Sequence, residues 1–83
     1  MPQLFHLMIE TTDCLGHHPK FETTVIAADE QEARDELCEF FSMHVEFVSW
    51  HIAQTIEVSA VPTDSPFARD YADKGAHSYI TQT

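Results

Sequence analysis

Basic residues, glycine and cysteine are all scarce in this chain. Its 83 residues include four Lys and Arg together, two Gly and two Cys. So few glycines exclude a glycine-rich loop that would cradle a phosphate group, and two cysteines do not form a disulfide framework. No apolar run approaches the roughly 18 residues that a membrane span needs, and no basic segment marks a signal peptide. We therefore expect one small domain (residues 1–83), located in the cytoplasm with free thiols and without a membrane partner.

Acidic residues dominate the charge. Fourteen Asp and Glu give a net charge of −10 at pH 7. A field of this sign repels phosphate backbones and anionic lipids, so we expect no direct binding to nucleic acid or to membranes. The same field attracts a basic protein surface, including one that normally holds DNA or RNA. The alternative interpretation is that the acidity only keeps a small protein soluble.

Two N-terminal segments, "QLFHLMIETT" and "FETTVIAA", alternate in side-chain type. The alternation predicts two strands, each with one apolar face, formed by Phe5, Leu7, Ile9, Phe21, Thr23 and Val25. Between them, Gly16 and Pro19 interrupt the pattern in "DCLGHHPK" and indicate a loop. The two strands are therefore predicted to form a hairpin.

The stretch "ADEQEARDELCEFF" predicts a helix of about 13–15 residues. Asp29 is the candidate N-cap, and Glu32 three positions later completes a variant capping box. Apolar residues recur at three- and four-residue spacing, and this stripe is predicted to pack on the sheet through Ala33, Leu37, Phe40 and Phe41.

Residues 44–61 contain no Gly, Pro, Asn or Asp. They predict one long strand, or two segments joined by a bend or bulge near residues 53–55. A single parity contains most of the apolar residues, namely Val48, Trp50, Ile52, Ile56, Val58 and Ala60.

The C-terminal part predicts a short helix and an edge strand. Ser65, Pro66 and Gly75 frame the helix, and Phe67 and Tyr71 are its predicted buried pair. The segment "SYIT" is the predicted strand. The resulting β-β-α-β-α-β order predicts an α+β fold, in which one main amphipathic helix and one short helix pack on an antiparallel sheet.

The outer face of the first helix is the candidate binding site for a partner. Between Asp29 and Glu39 there are six acids and one base. Like charges four residues apart destabilise a helix by about 0.2–0.5 kcal/mol per pair, and a basic partner would relieve this repulsion. We expect ordinary pKa values on such an exposed face. The predicted contact residues are Glu30, Glu32, Asp35, Glu36 and Glu39.

The loop places Cys14, His17 and His18 close together in the sequence. A structural zinc site needs four ligands, usually as two close pairs, and no second pair is present. We therefore predict no stoichiometric metal and no cofactor. Cys14 beside these histidines is the only local nucleophile–base pair, so we do not expect an enzyme. A small metal-binding or thiol-active protein built around these three residues is the alternative hypothesis.

The junction "TTVIAADEQEARDELCEFF", the small size, the acidity and the following long β segment resemble small proteins encoded by phages and mobile elements, anti-CRISPR proteins among them. The resemblance implies a stoichiometric inhibitor that occupies a basic, nucleic-acid-binding surface of a Cas effector subunit. It identifies no individual residue role. A third hypothesis is an accessory domain of a larger assembly that forms a homodimer through an exposed strand edge.

Overall fold

A computed structural model describes residues 2–82 and their side chains as far as Tyr79. Its elements are β1 (Gln3–Asp13), β2 (Lys20–Ala27), α1 (Glu30–Met43), β3 (Phe47–Ala60), α2 (Pro66–Lys74) and β4 (His77–Gln82). The strands form one antiparallel sheet in the order β3-β1-β2-β4. The predicted α+β class and element order are therefore confirmed. Among the described residues, no helix has the length and apolar character needed to cross a bilayer.

The predicted β1–β2 hairpin occupies the centre of the sheet. Phe5 pairs with Val25 and Leu7 with Thr23, so the apolar positions of both strands share one face. This face packs against α1 through the predicted stripe, with Phe40 only partly buried beside it. The core between the sheet and α1 consists of Phe5, Leu7, Ile9, Val25, Ala27, Ala33, Leu37 and Phe41.

The capping box at the start of α1 forms as predicted. The Asp29 carboxylate accepts a hydrogen bond from the Glu32 N–H at 2.8 Å, and the Glu32 carboxylate accepts one from the Ala28 N–H at 3.0 Å. Both bonds satisfy backbone donors that the first helical turn would otherwise leave unpaired. At the other end of α1, the Phe41 ring stacks on Trp50 with ring centroids 5.1 Å apart. This contact connects the helix to the first half of β3.

β3 is one strand of 14 residues at an edge of the sheet. Its register with β1 shifts three times, and each shift leaves one extra residue in β3: Val48, Ala53 or Ile56. The shift at Ala53 agrees with the predicted bulge. Trp50, Ile52, Val58 and Ala60 keep the predicted parity, because all four pair with residues on the core-facing side of β1 and the shifts at Ala53 and Ile56 cancel. The prediction is wrong for Val48 and Ile56, since each is the extra residue of a shift. Trp50 and Ile52 pack partly against the core, whereas Val48 and Ile56 are exposed.

α2 begins and ends as predicted but does not bury the predicted pair. Ser65 caps the helix by accepting a hydrogen bond from the Ala68 N–H at 3.3 Å, and Gly75 ends it at a φ of 74°. Phe67 stays 37% exposed. It contacts Tyr79 of β4 edge to face, with ring centroids 5.4 Å apart. The buried-pair prediction fails because α2 has no fully buried side chain and packs on the sheet through aromatic edges.

Candidate functional site

The acids of α1 do not form one continuous group around the helix. At about 100° per residue, Glu32, Asp35, Glu36 and Glu39 fall within roughly 100° of arc on one side of the buried stripe. We call Asp35, Glu36 and Glu39 the acidic flank. Glu30, in the first turn, falls at the same angle as the buried stripe, and its carboxylate is 3.5 Å from the Arg34 guanidinium. The predicted contact set is therefore not one continuous surface.

Glu32 is engaged within the fold. Besides accepting the Ala28 N–H, its carboxylate accepts a hydrogen bond from the Tyr71 hydroxyl at 2.9 Å. This bond connects α1 to α2 and raises the pKa of Tyr71 above its ordinary value, since the hydroxyl proton is shared with an anion. Glu32 therefore stabilises the fold, and binding a partner through its carboxylate would disturb these two hydrogen bonds.

In the described part of the chain, the three residues of the acidic flank form no ion pair with Lys or Arg. Within residues 2–82, no Lys or Arg lies within ion-pair distance of Asp35, Glu36 or Glu39. Burial and the neighbouring Glu39 carboxylate raise the pKa of Glu36, although His77 acts in the opposite direction. The expectation of ordinary pKa values is therefore wrong for Glu36, because the helix packs close enough to β4 to remove part of its water. The charged form of Glu36 is therefore less favourable in the folded protein than it would be in water.

A second feature lies at the C-terminal end of α1, next to the acidic flank. The β1–β2 loop, the last turn of α1 and the start of β3 enclose an open groove of about 760 Å³. We call it the hairpin groove. Three phenylalanines form its apolar surface, and two carboxylates and three histidines lie around them. These residues are Phe21, Phe40, Phe47, Asp13, Glu46, His17, His18 and His44.

Backbone hydrogen bonds shape the walls of the hairpin groove. The Asp13 carboxylate accepts hydrogen bonds from the N–H groups of Leu15 and His17 at 2.9 and 2.8 Å. Burial alone would raise the pKa of Asp13, but these bonds and the nearby His17 imidazole lower it below its ordinary value. The Cys14 N–H donates to the Glu46 carbonyl at 2.8 Å and ties the loop to the α1–β3 turn. Asp13 therefore stays ionised at neutral pH.

The two adjacent histidines have different partners. His17 Nδ1 lies 3.3 Å from an Asp13 carboxylate oxygen, whereas His18 Nδ1 lies 3.2 Å from the Thr12 hydroxyl. In the described part of the chain, no three His, Cys, Asp or Glu side chains are arranged to hold a metal ion. Over the same residues, the Cys14 thiol has no hydrogen bond to either histidine. The loop thus brings the three predicted residues close in space without joining them into one site.

His44 and Glu46 belong to the groove but were absent from the sequence-based site. The His44 ring packs on Phe40 with centroids 4.2 Å apart, and its Nδ1 lies 3.7 Å from the Glu46 carboxylate. These residues lie about 30 positions after the β1–β2 loop, so only the antiparallel return of β3 brings them to it. The available signal was the group of aromatic residues Phe40, Phe41, His44 and Phe47 where the predicted helix gives way to the predicted strand.

No protein-family model, curated protein or solved structure matches this chain.

Proposed function

We propose that this protein is a non-enzymatic interaction module whose acidic flank binds a basic surface of a partner protein. The observation that supports this is the group of three carboxylates on one side of α1 with no Lys or Arg among the described residues to pair with them. Burial and repulsion from Glu39 raise the pKa of Glu36, and a partner cation beside it would act in the opposite direction by stabilising its charged form. Charge complementarity of this kind mainly increases the association rate and selects the partner.

The basic partner is a nucleic-acid-binding protein in this proposal. Lys and Arg groups that hold phosphates also attract a row of carboxylates on a rigid helix, so the protein and the nucleic acid compete for one surface. A guide-loaded Cas effector subunit is the partner that the sequence resemblance suggests, and the protein would act on it as a stoichiometric inhibitor. Such an inhibitor works in the cytoplasm, where its two exposed cysteines stay reduced.

The dimerisation hypothesis is less well supported by the shape of β3. An exposed edge pairs with a second copy when its outward N–H and C=O groups form a regular row. Three register shifts interrupt that row in β3, and bulges of this kind twist an edge away from pairing. We therefore propose no homodimer through this strand.

The test is competition between the protein and target DNA on purified, guide-loaded Cas effectors. The variant carries Asp35→Lys and Glu39→Lys, which are exposed and leave the cap residue Glu32 intact. We expect this variant to associate at least about tenfold more slowly at low salt, because the steering field is reversed. The matched control carries Glu57→Lys and Asp64→Lys, two exposed acids outside α1 with the same total change of charge.

Equal slowing by the variant and its control would mean that net charge alone governs association, and the acidic flank would then be rejected as the binding site. Inhibition that is unchanged between low and high salt would also contradict the proposal, because exposed charges are screened over about 8–10 Å at physiological salt.

A further inference from the structure

The hairpin groove is a second surface, separate from the carboxylates of the acidic flank. We propose that it is a docking site for an arginine-containing apolar segment of the partner, with an aromatic or aliphatic side chain on the phenylalanines and the guanidinium at the carboxylates. This inference rests on the proposed function, because that function is what makes the partner basic. It adds a contact that would supply affinity, which an exposed acidic surface alone supplies poorly.

The phenylalanines give the groove its apolar surface. Phe21 and Phe47 meet edge to face with ring centroids 5.5 Å apart, and Phe40 meets Phe41 in the same way at 5.1 Å. None of the three groove phenylalanines is fully buried, so each keeps ring area open to the groove. Leu15 at the mouth is 77% exposed. The groove has a volume typical of ligand pockets, and an anchor side chain binds most strongly to apolar surface of this kind.

The charges around the groove select a cation. Asp13 and Glu46 line it, and no Lys or Arg is among the described residues that do so. The Asp13 carboxylate already accepts two backbone N–H groups and faces His17, so it contributes negative charge to the groove. The more exposed Glu46 carboxylate is the one with which a guanidinium can pair. An arginine guanidinium suits this setting, since it pairs with carboxylates and stacks on aromatic rings. An acidic segment would meet two like charges.

The groove and the acidic flank lie along the same helix. Phe40 follows Glu39 directly and stands one turn after Glu36. Met43, one turn after Glu39 on the same side of α1, is 70% exposed. A single extended segment of a partner can therefore place basic residues on the acidic flank and an apolar residue in the groove.

The groove is already formed without a ligand. The bond from the Cys14 N–H to the Glu46 carbonyl holds its two walls together, and Gly16 makes the tight turn of the loop at a φ of 83°. A preformed site loses little conformational entropy when it binds. These walls therefore support binding of a short peptide as well as of a whole partner.

The test uses nuclear magnetic resonance titration of the isotope-labelled protein with three short peptides. The probes are Arg-Trp-Arg-Leu, Glu-Trp-Glu-Leu and Arg-Gly-Arg-Gly, all with blocked ends. We expect the first peptide to shift the amide signals of residues 13–18 and 44–47 in a saturable manner. The second should bind at least about tenfold more weakly because of charge repulsion, and the third because it lacks an anchor.

Two test variants and one control variant locate the contact. Glu46→Lys reverses an exposed carboxylate of the groove, and we expect it to weaken the first peptide by at least about fivefold. Glu57→Lys makes the same charge change in β3, outside the groove, and should leave binding within about twofold. Phe40→Ala removes part of the apolar surface and should weaken the peptide further, provided that its spectrum shows a folded protein. If it does not fold, Leu15→Ser at the exposed mouth replaces it.

Equal binding of the first two peptides, or shifts confined to residues outside the groove, would overturn the inference. So would a Glu46→Lys variant that binds as well as the control. These results leave the proposed function intact, because that function is judged by the Asp35 and Glu39 reversals against a protein partner. Conversely, loss of the function in that assay does not alter a peptide titration, so the two failures are distinguishable.

Discussion

β1 and β3 are neighbouring strands of 11 and 14 residues, yet they bury very different amounts of side chain. β1 buries every second residue from Phe5 to Thr11. In β3, all residues from Ala53 to Val58 are exposed. β1 has a strand on each side, whereas β3 has one neighbour, three register shifts and little cover from α1, which contacts β2 and β4. The difference teaches that position in the sheet, more than strand-forming composition, decides burial.

Matched isoleucine truncations test this comparison most directly. Ile9 in β1 is 0% exposed and Ile56 in β3 is 44% exposed. We expect Ile9→Ala to lower the free energy of unfolding by about 2–5 kcal/mol, as for other core truncations. Ile56→Ala should change it by less than about 0.5 kcal/mol. Denaturant unfolding monitored by Trp50 fluorescence measures both. Leu37→Ala, on the α1 side of the same core, should fall in the range of Ile9→Ala.

A loss of similar size for the two isoleucines would contradict the comparison, and it would mean that the second half of β3 is covered in solution. A loss below half a kilocalorie for Leu37→Ala would show that the α1 stripe is not buried.

The two edges of the sheet provide the second test. The β4 edge is held by α2, because the Tyr79 hydroxyl donates to the Asp70 carboxylate at 2.6 Å. We expect Tyr79→Phe to lower the free energy of unfolding by about 1 kcal/mol. Burial and this bond raise the pKa of Tyr79 to about 12 from 10.0. Its contribution is therefore complete below pH 10.0 and is lost as the pH rises towards about 12.

The measurement is unfolding at neutral and alkaline pH, together with titration of tyrosinate absorbance. Between pH 10.0 and about 12, the free energy of unfolding should fall less for Tyr79→Phe than for the natural protein. If both lose the same amount, the Tyr79 hydroxyl does not anchor β4.

The smallest expected effect comes from replacing single acids of α1 that have different surroundings. The pKa of Glu36 is raised from 4.5 by burial and by Glu39, so its charged form is disfavoured in the folded state. Glu36→Gln should therefore increase the free energy of unfolding at neutral pH by about 0.2–0.5 kcal/mol, the size of a like-charge helix pair. Because the folded pKa is the higher one, the advantage of Gln should disappear as the pH falls to 4.5 and Glu36 becomes protonated.

Glu30→Gln is the matched control, because Glu30 is an acid of α1 outside the acidic flank. Glu30 pairs with Arg34 at 3.5 Å, so its replacement should lower stability by a few tenths of a kcal/mol. Thermal unfolding at neutral pH and near pH 4.5 measures both variants. Effects of the same sign for Glu36→Gln and Glu30→Gln would contradict the division of the acids into two different environments.

Local sequence signals predicted most of the fold. The alternation in β1 and β2, the capping box at Asp29 and the Ser65–Pro66 start of α2 all appear in the structure as predicted. Each depends on residues within one or two turns of chain, where sterics and hydrogen-bonding chemistry act directly. The predicted parity of β3 failed at Val48 and Ile56 for a complementary reason. A register shift depends on the partner strand, and a single segment does not contain that information.

The sequence by itself determined the acidic charge, the six elements in their order and the apolar faces of β1 and α1, because periodicity and capping are properties of short segments. Only the tertiary structure engaged Glu32 with Tyr71 and assembled the hairpin groove from two distant segments of the chain, residues 13–21 and 40–47. Those outcomes depend on the packing of α1 against β4 and α2 and on the return of β3 to the β1–β2 loop. Such contacts join residues that are far apart in the chain, so no local pattern contains them.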